Sequence, residues 1–407
     1  MLLLLFCCGS AANGFAQSRD VLCRDGAGEF EASYVSGVIA RVGATRNLEL
    51  ASRACDASLA WSDQTLSVAT GAPELDIDAF AVDLGLGAPV VAFQVKKSKA
   101  ACCTEYQIYS LHAPPVLLRT ITGGEFFSAE DSDLDGRIEI WTGDAAAVDG
   151  FDDLRLRDVD FAPPVILRFT KGKLLDASAE FQPYFDQKIA DVRAKLAPQD
   201  LAAFKNSDGR LAIPAAVPAA ATPSPLRNVK ARVLEIVWAY LYSGRQEQAW
   251  RALSEMWPAS DLERIRAAIS GARAHGMLAQ VEGTSVPVPP GRQIHAKIFD
   301  GTVTVSSTPG VTPKDAKPKQ EITPPRAILM EREPPADVYE AELSRTESLL
   351  KLVIDSAGKV RSVEVMGTSQ TVDEGLIKST ANWKFIPAFN AGEPVASQIF
   401  LGVSLKR

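Results

Sequence analysis

The residues of this chain best suited to chemistry form a short acidic loop, Asp-Ser-Asp-Leu-Asp-Gly-Arg-Ile-Glu, at residues 131–139. Alternating carboxylates with a glycine at the sixth position let the backbone curl, so that several oxygens converge on a hard cation such as calcium. We predict Asp131, Asp133 and Asp135 as direct ligands, with the Arg137 carbonyl and the Glu139 carboxylate completing the ring. A turn without an ion is the alternative, because Asp and Gly are favoured in turns.

The surroundings of this loop differ from those of an EF-hand. Thr142 stands where an EF-hand has its last glutamate, and the flanking residues 125–127 and 138–141 predict strands instead of helices. The loop resembles the Asp-x-Asp-x-Asp-Gly calcium loops of FG-GAP and related extracellular β-repeats. That resemblance implies a structural calcium ion.

Catalytic residues are sparse in the sequence. None of its three histidines stands at the spacing of a known catalytic motif: His112, His275 and His295. An acidic run could host an acid–base pair, although such runs are more often a solvated face: Asp152, Asp153, Asp158 and Asp160. We therefore expect a non-catalytic protein. The alternative is an exported hydrolase that uses carboxylates of the N-terminal region, around residues 131–160.

Length and charge narrow the class of protein further. A chain of 407 residues exceeds one ordinary core, which predicts two or three domains. The formal net charge is −7, and no basic stripe offsets it. Nucleic acid is therefore disfavoured as a partner, since binding it requires neutralisation of phosphates.

The N-terminus and the cysteines indicate export. Residues 1–16 join an apolar run to small residues and end in Gly-Phe-Ala, which predicts a secretory signal cleaved after Ala16 and a periplasmic or cell-envelope location. Membrane anchoring by this segment is the alternative. Oxidising conditions favour disulfides among the four remaining cysteines. We predict a Cys23–Cys55 pair, whereas Cys102 and Cys103 either pair with each other or elsewhere.

Residues 20–197 predict a mostly antiparallel β domain that ends in a helix. Short β-type runs are separated by Gly, Asp and Pro turns, at residues 37–42, 65–70, 90–95, 106–111, 116–121, 138–142 and 165–169. The closing helix is expected at residues 183–196, where apolar side chains share one face. This pattern favours a sandwich or a partial propeller.

The middle of the chain is expected to connect rather than to form a large core. Residues 198–227 are rich in Ala and Pro and predict a linker. Residues 228–280 predict a small helical hairpin segment. Residues 281–335 are rich in Pro, Lys and Thr and predict a stiff spacer, with one short strand at residues 301–306.

The C-terminal residues 336–407 predict a compact hairpin, helix and strand. Strands at residues 349–354 and 360–366 flank an Asp-Ser-Ala-Gly turn, a short helix follows at residues 373–382, and a last strand is expected at residues 395–405. The hairpin reads Ile-Asp-x-x-Gly-x-Val, and Trp-x-Phe-x-Pro-Ala follows the helix. With these two motifs, residues 324–407 resemble the C-terminal domain of the TonB family.

The resemblance implies a binding function. TonB-family proteins are periplasmic arms that engage outer-membrane transporters, in transmembrane transport, by pairing their last strand with a partner strand. We therefore expect an exported, non-catalytic envelope protein that binds an envelope or outer-membrane protein, or a second copy of itself, through its C-terminal edge strand. The partner-binding residues are expected to be Val395, Ser397, Ile399, Leu401 and Val403. The predicted fold class is multidomain α+β, with an N-terminal β domain, a helical spacer and a TonB-like ββαβ domain.

Overall fold

The computed structural model describes most of the chain and divides it into two compact units. The described residues are 21–45, 53–99, 102–154, 161–211, 225–285, 299–305, 322–323, 325–329, 347–366 and 374–404. A β unit comprises Arg19–Thr142, Ile166–Leu175 and Gln280–Arg407, and a helical unit contains Gly143–Val165 and Asp176–Ala279. The predicted signal, residues 1–16, lies outside the described residues. Within the described part, no helix is both long and apolar enough to cross a membrane.

The β unit begins with a four-stranded antiparallel sheet. Its strands follow chain order: β2 (Phe30–Ser33), β3 (Ile39–Ala44), β4 (Cys55–Trp61) and β5 (Gln64–Ala72). Every second residue of β3 and β4 faces the core, as the two-residue period of a strand requires. Ala40, Val42, Ala57 and Leu59 are buried in this way.

An eight-stranded sheet forms the largest layer. Its order is β1-β6-β7-β8-β9-β10-β11-β12, and the pairings from β1 to β9 are antiparallel. The strands are β1 (Cys23–Arg24), β6 (Glu74–Val82), β7 (Val90–Lys96), β8 (Thr104–Ser110), β9 (Leu117–Glu130), β10 (Glu139–Asp144), β11 (Pro164–Thr170) and β12 (Lys173–Asp176). β6 and β7 are buried along nearly their whole length. The large antiparallel β region expected from the sequence is therefore confirmed.

The C-terminal residues form a second four-stranded sheet in the β unit. Its order is β13-β21-β16-β17, from β13 (Phe299–Val305), β16 (Glu347–Ile354), β17 (Val360–Met366) and β21 (Ser397–Ser404). β16 pairs antiparallel with β17 and β21, whereas β13 pairs parallel with β21. Helix α7 (Glu374–Thr380) follows β17. The core of this sheet contains Leu350, Leu352, Trp383, Phe385 and Ile399.

Five short strands complete the β unit: β14 (Ile322–Thr323), β15 (Arg326–Leu329), β18 (Lys384–Ile386), β19 (Ala388–Asn390) and β20 (Glu393–Val395). β15 pairs with β18, and β19 lies between β14 and β20. Ile328, Ile386 and Phe389 pack against the core formed by the N-terminal strands. The C-terminal elements and the N-terminal β region therefore share one unit, whereas the sequence predicted separate domains at 20–197 and 336–407.

The helical unit contains α1 (Ala145–Val148), α2 (Gln182–Ala194), α3 (Pro198–Lys205), α4 (Pro225–Tyr242), α5 (Gln246–Met256) and α6 (Leu262–His275). The helical spacing of apolar residues in α4 buries Val229, Val233 and Val237. α2, expected to close the β domain, belongs to this unit.

The segment expected to be an Ala/Pro linker, residues 198–227, is partly helical. It contains all of α3 and the start of α4. Proline at the first position of α3 is compatible with a helix because no intrahelical partner is lost there. The linker is therefore shorter than its composition predicted. Its central residues, 212–224, lie outside the described residues.

Candidate functional site

The acidic loop joins β9 to β10 and brings three of its predicted ligands together. One carboxylate oxygen from each of Asp131, Asp133 and Asp135 lies within 4.8 Å of the others, so the group could hold a metal ion. The Asp135 N–H donates to Asp133 Oδ1 at 3.2 Å, and the Gly136 N–H donates to Asp131 Oδ2 at 3.1 Å. Gly136 has φ of +84°, a left-handed conformation that suits glycine and closes the turn.

Burial makes Asp131 the unusual member of this group. Its side chain has no solvent exposure, and Oδ1 has no hydrogen-bond partner among the described residues. Burial raises the pKa of Asp131 above its ordinary value, although hydrogen bonds from Ser356 and Gly136 oppose the rise. Partial desolvation within the loop and the neighbouring Asp135 likewise raise the pKa of Asp133, although its side chain is exposed. Both shifts reflect a cost of negative charge at this place.

The other two predicted ligands have partners of their own. The Arg137 guanidinium binds the Asp135 carboxylate, which compensates part of the loop's negative charge. Glu139 is fully buried and accepts from Arg168 at 2.8 Å and from the Ser132 N–H at 3.1 Å. Burial raises the pKa of Glu139 to about 7 despite Arg168. Glu139 thus connects the loop to β11 through Ser132 and Arg168. It does not belong to the group of three carboxylates.

The β16–β17 turn contacts the acidic loop directly. The Asp131 N–H donates to Asp355 Oδ2 at 3.0 Å, and Ser356 Oγ donates to Asp131 Oδ2 at 3.0 Å. Arg361 binds Glu130 at 2.7 Å and the Ser132 carbonyl at 2.9 Å. Asp355 is fully buried, and burial raises its pKa to about 7. This contact was not predicted from the sequence, because an Asp-Ser-Ala-Gly turn ordinarily lies at the surface.

The buried Lys359 and the partly buried Lys384 also connect the C-terminal elements to β6. Lys359 Nζ donates to Asp78 Oδ1 at 2.5 Å and to the Asp78 carbonyl at 2.9 Å. Asp78 Oδ2 also accepts from Tyr106 at 2.7 Å and from the Ala129 N–H at 2.8 Å. Lys384 binds Asp76, and burial lowers the pKa of this lysine although Asp76 opposes the shift. A sequence signal existed: acidic residues alternate with apolar ones in the first half of β6, at Glu74, Asp76 and Asp78.

The predicted partner-binding residues fall in two strands. Val395 ends β20, and the other four lie in β21. Ser397, Ile399 and Leu401 are buried, and the side chain of Val403 is outside the described set. Since the side chains of Ile399 and Leu401 fill the core, a strand that pairs with β21 would depend on its backbone groups.

The disulfide prediction is confirmed. Cys23 and Cys55 are bonded, with their Cα atoms 6.0 Å apart. Cys102 and Cys103 pair with each other, which resolves the alternatives left open by the sequence.

Of the four aspartates considered as an acid–base pair, Asp152 alone has a described side chain. Burial alone would raise the pKa of Asp152, but hydrogen bonds from Arg264 and Lys230 outweigh it and lower that pKa. Lys230 is buried and lies 2.6 Å from Asp152. Asp158 and Asp160 lie outside the described residues, as does the Asp153 side chain. Asp152 therefore serves as the anchor of a buried ion cluster in the helical unit.

The charged hydrogen bonds of Asp152 lead to a prediction about stability. Asp152→Asn should lower the free energy of unfolding by about 2 kcal/mol at pH 7, because charged hydrogen bonds become neutral ones. The depressed pKa means that the ionised form stabilises the folded state above the unfolded pKa, about 3.9. The difference between variant and wild type should therefore shrink as pH falls through the native pKa. Urea unfolding at several pH values measures it.

The matched control is Asp186→Asn, which removes an ion pair with Arg245 at an exposed carboxylate. Its cost should stay below about 1 kcal/mol. Equal costs for the two variants would contradict the assignment of Asp152 as an anchor.

A cleft in the helical unit offers a second place to look for a ligand. It is lined by Leu241, Gln246, Trp250, Ser270, Arg273, Ala274, Leu278 and Ala279. No carboxylate belongs to this lining, so an acid–base pair of the kind considered for a hydrolase is not located in this cleft.

Comparison of the chain with protein-family models, with curated proteins and with solved structures finds no match. Arguments about function therefore depend on the geometry of the described residues.

Proposed function

We propose that this chain is an exported, non-catalytic envelope protein whose C-terminal sheet binds an extended strand of a partner by β-addition. The partner would be an envelope or outer-membrane protein, in a process linked to transmembrane transport, or a second copy of the chain. Backbone hydrogen bonds along a sheet edge supply affinity in this mode, and side-chain pockets supply specificity.

The observation that carries the proposal is the position of β13. This strand pairs in parallel with β21, the strand expected to receive a partner, at Phe299↔Ser397 and Asp300↔Gln398 and, after a shift of register, at Thr304↔Phe400 and Val305↔Leu401. Without β13, the β21 edge would present unpaired backbone groups, which are a template for another strand. The edge therefore accepts a strand from a remote part of the sequence.

The same pairing implies competition between β13 and a partner. A tethered strand acts at an effective concentration in the millimolar range or below, depending on its linker. A free strand of similar intrinsic affinity would bind the intact chain weakly. Partner binding is then expected to require displacement of β13, and loss of β13 should expose the site.

We predict that disrupting β13 creates a binding site for its own peptide. The variant Thr304→Pro/Val305→Pro removes two consecutive N–H donors from the regularly paired stretch, one of which faces β21 because successive donors point to opposite sides of a strand. A labelled peptide of residues 297–307 should bind this variant tighter than wild type by about tenfold or more. Fluorescence anisotropy measures both affinities.

The control is the same peptide carrying the two prolines, which should bind neither protein. Circular dichroism establishes that the variant is folded. Equal affinity of the folded variant and wild type for the unmodified peptide would contradict strand docking at β21. Size-exclusion chromatography with light scattering tests the second copy as occupant, because exposed β21 edges should promote dimers.

The disulfides support the location. Cys23–Cys55 and Cys102–Cys103 require an oxidising environment, as found in the periplasm. The alternative, an exported hydrolase, would draw on carboxylates of the N-terminal region around residues 131–160, where burial raises the pKa of Glu139 to about 7. Glu139 is fully buried and hydrogen-bonded to Arg168, which favours the non-catalytic proposal.

A further inference from the structure

The acidic loop carries an inference beyond strand docking, because the buried Asp131 lacks a partner for one of its oxygens. A buried carboxylate oxygen without a donor is costly, and native proteins ordinarily satisfy such atoms with protein, water or an ion. Asp131 Oδ2 is satisfied by Gly136 and Ser356, whereas Oδ1 has no partner among the described residues. One carboxylate oxygen from each of Asp131, Asp133 and Asp135 lies within 4.8 Å of the others.

The charge of the loop and its oxygen ligands indicate which ion would bind there. Three carboxylates meet here, and the Arg137 guanidinium bound to Asp135 balances part of their charge. All the side-chain donors are oxygens, on a tightly turned loop, which suits Ca²⁺ better than a metal that prefers nitrogen or sulfur. Mg²⁺ demands near-ideal octahedral geometry and keeps its water, so it is the weaker competitor.

The contacts of Asp131 connect this site to the C-terminal hairpin. Its N–H binds Asp355, and its Oδ2 accepts from Ser356. Arg361 reaches the next carbonyl in the loop, that of Ser132. An ion that fixes the loop therefore also fixes the N–H and the carboxylate of Asp131, which hydrogen-bond to the β16–β17 turn.

We infer that Asp131, Asp133 and Asp135 bind Ca²⁺, and that the bound ion controls how firmly the β16–β17 hairpin is held against the N-terminal strands of the β unit. Calcium is thereby a conformational effector of the C-terminal sheet. The inference does not depend on strand docking at β21.

Binding is tested on the full chain after removal of metal with a chelator. Tb³⁺, a luminescent substitute for Ca²⁺, reports the site through Trp141, whose indole N–H donates to Ser132 Oγ at 2.7 Å inside the loop. We expect sensitised Tb³⁺ emission that Ca²⁺ displaces and Mg²⁺ displaces poorly. Isothermal calorimetry with Ca²⁺ alone gives the affinity.

Coupling is tested by hydrogen exchange with and without Ca²⁺. The amides of Ala357 and Lys359, which donate to Asp355, should exchange more slowly with Ca²⁺ than with chelator. Amides of the helical unit serve as the internal reference and should not change.

Two variants separate the site from general effects. Asp133 is exposed, so Asp133→Asn should fold and weaken Ca²⁺ binding by about tenfold or more, since affinity follows ligand charge. Asp83→Asn is the control: Asp83 is also an exposed loop aspartate that accepts from Gly85 and Leu86, and Ca²⁺ affinity should be unchanged.

Three results would overturn the inference. Absence of Ca²⁺ binding to wild type removes the site, and equal affinities of wild type and Asp133→Asn place the ion elsewhere. Tight binding with identical exchange at Ala357 and Lys359 removes the coupling. None of these measurements uses a strand peptide, so their failure is distinguishable from failure of the docking proposal.

Discussion

Gly358→Ala is expected to lower the free energy of unfolding of the β unit by about 3 kcal/mol or more. Gly358 lies in the β16–β17 turn with φ of +87°, and an added Cβ would lie 1.8 Å from the Phe385 carbonyl oxygen. The Phe385 N–H donates to the Gly358 carbonyl at 2.8 Å, so the two backbones cannot separate without losing that bond. Urea unfolding followed by tryptophan fluorescence measures the cost.

Gly392→Ala provides the matched control for this variant. Gly392 has φ of +88°, nearly the same as Gly358, but a Cβ there would meet nothing within 4 Å. Its cost should be about 1–2 kcal/mol, the strain of a left-handed alanine alone. The difference between the two variants isolates the clash with Phe385. Equal costs would show that the turn is not held against that strand.

Lys359→Met is the second substitution with a large expected effect, about 3–5 kcal/mol. The lysine is buried, and its ammonium group neutralises Asp78. Its loss leaves the Asp78 carboxylate without its ion-pair partner, in a site where Tyr106 and Ala129 remain the donors. Methionine keeps most of the side-chain volume, so the cost is chiefly electrostatic. Thermal and urea unfolding measure it.

Lys351→Met in the neighbouring strand is the control, because Lys351 pairs with the exposed Glu364 at 3.2 Å. Its cost should remain below about 1 kcal/mol. The double variant Lys359→Met/Asp78→Asn should recover part of the loss, since removing both charges leaves no stranded one. A double variant less stable than Lys359→Met would contradict this account.

Local patterns in the sequence predicted much of the β unit. The run at residues 90–95 corresponds to β7, and the hairpin at residues 349–366 corresponds to β16 and β17. Alternation and turn residues suffice there, since neighbours in chain order pair with each other. The strand expected at residues 301–306 is also present as β13. Its parallel pairing with β21 was not predicted, because periodicity carries no information about remote partners.

For the candidate site too, the local contacts were predicted from the sequence and the remote contacts were not. The spacing of Asp131, Asp133 and Asp135 predicted their convergence, which depends on a local loop. Neither the contact of Glu139 with Arg168 nor that of Asp355 with Asp131 was predicted from the sequence. The first joins side chains 29 residues apart on two strands, and the second joins two turns that are 224 residues apart in the chain. From the sequence alone, charged residues that make such contacts cannot be distinguished from charged residues at the surface.

The order in which the β unit is completed follows from Asp76 and Asp78. These carboxylates belong to β6, whereas their lysines, Lys384 and Lys359, are made some 280 to 310 residues later. The N-terminal strands can therefore bury these two carboxylates with their cations only after Lys359 and Lys384 have joined them. Contacts of such high sequence separation slow folding, and unpaired strand edges in partly folded chains promote aggregation. The N-terminal strands should therefore be prone to aggregation until the C-terminal elements have packed against them.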